Sequence, residues 1–256
     1  MGLFGKLFEK ESCAICGKEI GIFGKKKLED GVMCKDCQNK LSPWFSDRRN
    51  STVAQIKEQL QYREENKTAV AAFRTTRTFG ENTKILLDED ARKFMVTSAR
   101  NLLEANPDVL DFFDVTGCRI DIDEDRDEQK RTNDAGEEVS YVPPRYTYSY
   151  NFDVIINVNN PYFDEISFRL NESHVEIQVI GNNRTINPEN NIEYRRYKEM
   201  GEEIKKALLE VRQQVREEAV AAAAPKTAMT CPWCGATTVP DANGCCEYCG
   251  GAMNGQ

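Results

Sequence analysis

The chain has 256 residues, 40% hydrophobic and 30% charged, with 12 Phe and 9 Tyr. That composition supports a globular core, and no apolar run is long enough to cross a membrane as a helix. The net charge of −8 gathers in the middle of the chain. An acidic body repels phosphate backbones, which argues against nucleic acid as the default partner.

The chain opens with Leu3, Phe4, Leu7 and Phe8, spaced to line one side of a short helix beside Lys6 and Lys10. This stretch is expected to dock on its own domain, with weak membrane-surface contact as the sharper alternative. Gly2 suits myristoylation, but Lys6 stands where Ser or Thr is needed, so no acylation is expected. Without a long apolar leader and small-residue cleavage site, the expected location is cytoplasmic.

Cysteine then dominates. Of ten Cys, eight form four C-x-x-C pairs: Cys13/Cys16 and Cys34/Cys37 near the start, Cys231/Cys234 and Cys246/Cys249 near the end. A C-x-x-C turn puts two sulfurs on one side of a tetrahedral shell, and a second turn returned by a hairpin completes it. Gly17, Gly235 and Gly250 each follow the second Cys of a pair, where glycine lets backbone amides turn toward the sulfurs. The pattern predicts two structural zinc ions, each held by four cysteines. A disulfide scaffold fits poorly with a reducing compartment, and a redox C-x-x-C stands singly rather than in twos. Cys118 reads as a small buried residue. Cys245 sits where an apolar residue would pack on the knuckle; a register swap with Cys246 would lose the spacing to Cys249.

Between the cysteine modules, Lys25, Lys26 and Lys27 mark a hairpin tip, read as a solvated loop before a phosphate-binding one. Trp44 and Phe45 are expected to cover the first module. Thr52 and Gln55 form a capping box opening a helix through Val53, Ile56 and Leu60 to about Phe73, with a break near Asn66. From about Thr75 the apolar period becomes two. Ile85-Leu86-Leu87 and Phe94-Met95-Val96 flank a hairpin turn at Asp88-Glu89-Asp90-Ala91. Phe112-Phe113-Asp114-Val115 leads into a strand at Arg119–Ile122. Tyr146, Tyr148, Tyr150, Phe152, Val154, Ile156 and Val158 then alternate without a break and require a sheet covered on that face. Further strands follow at Ile166–Leu170 and Val175–Val179. Asn187 caps a long helix with Pro188 at its first position, running to about Ala224 and expected to pack against the sheet, with a stalk or a pairing surface as the alternative for its more polar half from about Lys205.

Catalytic patterns fail one by one. The single histidine, His174, alternates against Val175, Ile177 and Val179 and so faces away from their core side, which leaves no Ser–His or Cys–His triad. No P-loop or dinucleotide fingerprint is present. Asp121, Asp123, Asp125 and Asp127 have a calcium-loop rhythm, but Arg126 and Thr132 stand where such a loop needs Gly and Glu. That run reads as a strand end passing into an acidic loop. Glu64/Glu65 and Glu137/Glu138 read as surface pairs. Four sulfurs per ion leave no open coordination position, so zinc hydrolysis is not expected and the chain reads as non-enzymatic.

Three resemblances follow from these residues. Met1-Gly2-Leu3-Phe4, Cys13-Ala14-Ile15-Cys16-Gly17-Lys18, Leu28-Glu29-Asp30-Gly31 and Cys34-Lys35-Asp36-Cys37 through Trp44-Phe45 resemble an uncharacterised bacterial family with an N-terminal zinc-ribbon domain of unknown function. Cys231-Pro232-Trp233-Cys234-Gly235 with Cys246-Glu247-Tyr248-Cys249-Gly250 resembles the generic zinc-ribbon tail of many bacterial proteins, departing from it at Cys245. The middle, with Phe112–Gly117 entering a strand and a helix at its end, is similar to bacterial pleckstrin-homology-like domains. These resemblances imply zinc binding and carry no known activity.

The sequence therefore reads as α+β: an antiparallel sheet or small barrel closed by a long C-terminal helix and flanked by two zinc ribbons. The expected division is a ribbon at 1–50, a helical connector at 51–74, the β domain at 75–224 and a second ribbon at 225–256. The expected role is an adaptor or scaffold recognising protein, with nucleic-acid binding and peripheral membrane binding as alternatives.

Overall fold

The computed structural model describes residues 11–21, 24–181, 186–223, 228–241 and 244–253. The Leu3–Phe8 stripe and the side chains of Val211 and Val215 lie outside them. The chain divides into two compact units, Met1–Arg212 and Gln213–Gln256.

The first unit begins with two small antiparallel ladders, β1 (Glu11–Ser12) with β2 (Glu19–Ile20) and β3 (Lys26–Lys27) with β4 (Val32–Met33), followed by the short α1 (Lys35–Gln38). Ile20, Leu28, Met33 and Leu41 form a core with three of the cysteines, and Ile56 from α2 (Val53–Ala72) completes it. The packing thus runs past residue 50 into the helix. Gly31 permits this approach: a methyl group there would lie 2.9 Å from Val53 Cγ2. Asp30 also accepts the Val53 N–H at 2.7 Å, and the Thr52–Gln55 capping box is formed in both directions.

No break occurs in α2 at Asn66. Its amide is instead turned outward from the helix axis onto neighbouring chain: Nδ2 donates to Asn106 Oδ1 and the Pro107 carbonyl, and Oδ1 accepts from Val109 N–H. With its side chain satisfied there, Asn66 does not compete for the helix backbone. One turn earlier Arg63 donates to Asp108 at 2.7 Å, and Ser42 Oγ donates to the other oxygen of that carboxylate at 2.7 Å. This buried network ties the cysteine module, α2 and the 106–108 loop together.

Two four-stranded sheets follow. β5 (Arg77–Phe79), β6 (Lys84–Asp88), β7 (Lys93–Thr97) and, after the single-turn α3 (Leu102–Ala105), β8 (Leu110–Asp111) run antiparallel in chain order. In the second sheet β10 (Glu138–Val158) is central. β9 (Val115–Thr132) lies along one edge of it. β11 (Glu165–Arg169) and β12 (Val175–Ile180) lie along the other edge, opposite Asp153–Asn157 and Arg145–Tyr150 of β10. Ile85, Leu87, Phe94 and Val96 from the first sheet join Tyr150, Phe152, Val154, Ile156 and Val158 from β10 in one core.

The structure departs from the sequence expectations at several points. Among the described residues no closed barrel forms. The chain between β8 and β9 winds into a 3₁₀ turn, Phe112–Asp114, which buries Phe112 and interrupts the ladder. The Asp121–Asp127 run is not an acidic loop. It stays in β9 because each residue is paired across to β10, as in Asp123↔Asn151 and Asp127↔Thr147. Trp44 packs on the main core rather than on the cysteine module, which Phe45 contacts. The expected helix from Asn187 is a 3₁₀ turn, Pro188–Asn190, before α4 (Ile192–Ala223) starts. Tyr194, Tyr197, Ile204, Ala207 and Leu208 of α4 belong to the core, so its packed face extends beyond Lys205.

Candidate metal centres

The sulfurs of Cys13, Cys16, Cys34 and Cys37 form one group, and those of Cys231, Cys234, Cys246 and Cys249 another. Within each group all four atoms lie within 4.8 Å of one another. The hairpin ladders do the gathering. β1/β2 and β13/β14 (Met229–Thr230 with Thr237–Thr238) each bring a knuckle round. Three knuckles share one turn: Gly17, Gly235 and Gly250 take φ of 74°, 75° and 69° and donate N–H to the carbonyls of Cys13, Cys231 and Cys246. A β-carbon is strained in that left-handed region, so glycine is the residue the turn accepts. The fourth knuckle is built differently. Cys34 caps α1, its sulfur accepting the Cys37 N–H, and the helical turn replaces the glycine.

The sulfur spacings test whether an ion fits. Zinc–sulfur bonds of about 2.3 Å in a tetrahedron place sulfurs roughly 3.8 Å apart. The spacings are 3.9 Å for Cys13–Cys37, 3.7 Å for Cys16–Cys34, 3.6 Å for Cys231–Cys249 and 3.7 Å for Cys234–Cys246. A disulfide would bring the pair to about 2.05 Å, and all ten cysteines are free thiols. Each group can hold one metal ion.

The electrostatics also favour a cation. Burial opposes ionisation of Cys13, but N–H groups of Cys16, Cys34 and Ile15 outweigh it and lower the thiol to about 6. At Cys231 burial is likewise outweighed, by N–H groups of Cys234 and Trp233, and the thiol falls to about 7. Cys37 and Cys249 shift the other way. Burial first, then hydrogen bonds within the group, push Cys37 up. The Gly251 N–H favours the Cys249 thiolate, but its neighbours Cys234, Cys231 and Cys246 push it up to about 12. A cation that binds all four sulfurs displaces the protons Cys37 and Cys249 retain.

The two centres differ in surroundings. Three of the four sulfurs in the first are buried, with Cys16 exposed. In the second, Cys231 and Cys246 are buried with Met253, while Cys234 and Cys249 are exposed. Cys245 stays outside the group: it forms an isolated bridge with Ala252, and its N–H donates to Asp241. Cys118 is half-buried against the main core, where burial raises its thiol to about 11. His174 is exposed and meets Asn151 at 2.8 Å. The feature that sequence reasoning missed is Trp233, whose pairing with Gly251 no spacing rule reveals.

The fold and these centres define an α+β protein with antiparallel sheets and a four-cysteine group toward each end. Residues 11–59 match the family model described as Domain of unknown function (DUF4428). The matched segment holds the first cysteine group, a zinc-ribbon-like domain, and ends within α2, one turn beyond Ile56 of its core. No curated protein and no solved structure matches the chain.

Proposed function

We propose that the chain is a non-enzymatic adaptor whose two cysteine groups each bind a structural zinc ion and whose surfaces recognise protein. The observation that supports this most is the composition of the two groups. Each offers four sulfurs at tetrahedral spacing, so a bound zinc is saturated and has no place for water or substrate. Such an ion stabilises a module too small to build a core of its own. The second module's buried apolar cluster, made of Cys231, Cys246 and Met253, is of that kind. No described helix is long and apolar enough to cross a membrane. The thiolate sites suit a reducing cytoplasm, where they would escape oxidation.

The pleckstrin-like reading of the middle stays with this proposal, supported by antiparallel sheets followed by α4, whose buried face joins the core. The basic tip read as a phosphate-binding alternative and invoked for membrane-surface contact has one of its three lysines engaged: Lys25 pairs with Glu11.

Affinity purification of the full chain from its native cell tests the role. Co-purification of a stoichiometric protein is the expected result. Recovery of nucleic acid or lipid without protein would overturn it.

A further inference from the structure

The second cysteine module carries an aromatic platform with no role in holding the metal. Trp233, the third residue of the Cys231–Cys234 knuckle, is 74% exposed. An indole this exposed ordinarily samples several rotamers, but here it is fixed at two points. Its Nε1 donates to the Ala252 carbonyl at 3.1 Å. Its ring edge lies over Gly251, where an added β-carbon would be 2.6 Å from Cδ1 and 2.9 Å from Cγ. Gly251 has no left-handed φ, so its lack of a side chain serves the indole rather than the backbone. Tyr248, the third residue of the other knuckle, is 73% exposed. Each knuckle therefore turns an aromatic residue outward from its tip.

The charge around these rings is of one sign. Among the described residues of 228–253 there is no Lys or Arg, while Asp241 and Glu247 are present. Four thiolates around a divalent ion add a further charge of about −2. A pre-ordered indole face in a negative field attracts a cation, and guanidinium is the side chain that stacks best on such a face. A phosphate backbone is repelled by the same field.

We propose that the Trp233 platform of the zinc-loaded C-terminal module is a docking surface for an arginine-bearing segment of a partner protein. This rests on the adaptor reading and names the chemistry of its partner. Because the free platform is already ordered, little side-chain entropy is lost on binding.

Isothermal titration of the zinc-loaded full chain with an acetylated Gly-Arg-Gly-Arg-Gly peptide tests the proposal. Parallel titrations use the citrulline-substituted peptide and a single-stranded oligouridylate. The expected result is binding of the arginine peptide, at least about ten-fold weaker binding of the citrulline form, and no binding of the oligonucleotide. Trp233→Ala and Gly251→Ala should each weaken arginine-peptide binding by about ten-fold, and Trp233→Phe should retain most of it. Zinc content measured on each variant separates loss of the platform from loss of the module. Absence of peptide binding, equal affinity in the metal-loaded Gly251→Ala variant, or tighter binding of the oligonucleotide would overturn the proposal. Native purification that recovers a protein partner through another surface would leave the adaptor role standing while this surface fails.

Discussion

At the residue scale, two kinds of polar group set the fold's vulnerabilities. The first is the Arg63–Asp108 pair, whose side chains are 7% and 0% exposed. Ser42 and the Asn106 carbonyl supply further bonds to the pair. Removing one charge leaves the other buried and unpaired, which is more costly than the pair is worth. Asp108→Ala should destabilise the first unit by about 3–5 kcal/mol, read from the shift of its urea midpoint. The second kind is the thiol. An ion-loaded group needs all four sulfurs as thiolates, whereas unfolded thiols keep their protons up to about pH 8.5. Protons therefore compete with the ion for the sulfurs, and its stabilisation is lost as pH falls. Zinc affinity should drop more than about 100-fold between pH 7 and pH 5, measured by competition with a chromophoric chelator. An unchanged affinity would mean that thiolates do not hold the ion.

At the element scale, close backbone approach replaces apolar patterning at several joints. Gly201 sits in α4 where an added β-carbon would be 2.9–3.2 Å from three Ile120 atoms. Helix propensity alone favours almost any other residue there. Gly201→Leu should nevertheless cost about 1–3 kcal/mol by driving α4 from β9, and the loss should show as a lower Tm. Part of this was legible beforehand. The capping box at Thr52, the hairpin across Asp88–Ala91 and the strand through Tyr150–Val158 follow from local chemistry and a period of two. The failures share a cause. The continuation of β9 through Asp121–Thr132 depends on pairing with β10, and a strand of charged residues shows no apolar alternation to signal it. The intact helix at Asn66 depends on residues 40 or more positions away. Trp44 packs on the main core while its N–H donates to Ser42 Oγ, a tertiary outcome with no sequence period.

At the scale of the whole molecule, the two cysteine groups belong to separate compact units, and each should load without the other. The four C-x-x-C spacings exposed this organisation in the sequence, because metal-ligand geometry is local to a turn. The platform at Trp233 was hidden because it depends on Gly251 coming beneath the ring once both knuckles have folded. The central claim is that eight cysteines hold two saturated ions. Native mass spectrometry of the full chain, with Cys13→Ser and Cys246→Ser beside it, tests this most directly. The account predicts two zinc ions in the parent chain and one in each variant. A single ion in the parent, or a mass short by the hydrogens lost to disulfide formation, would contradict it.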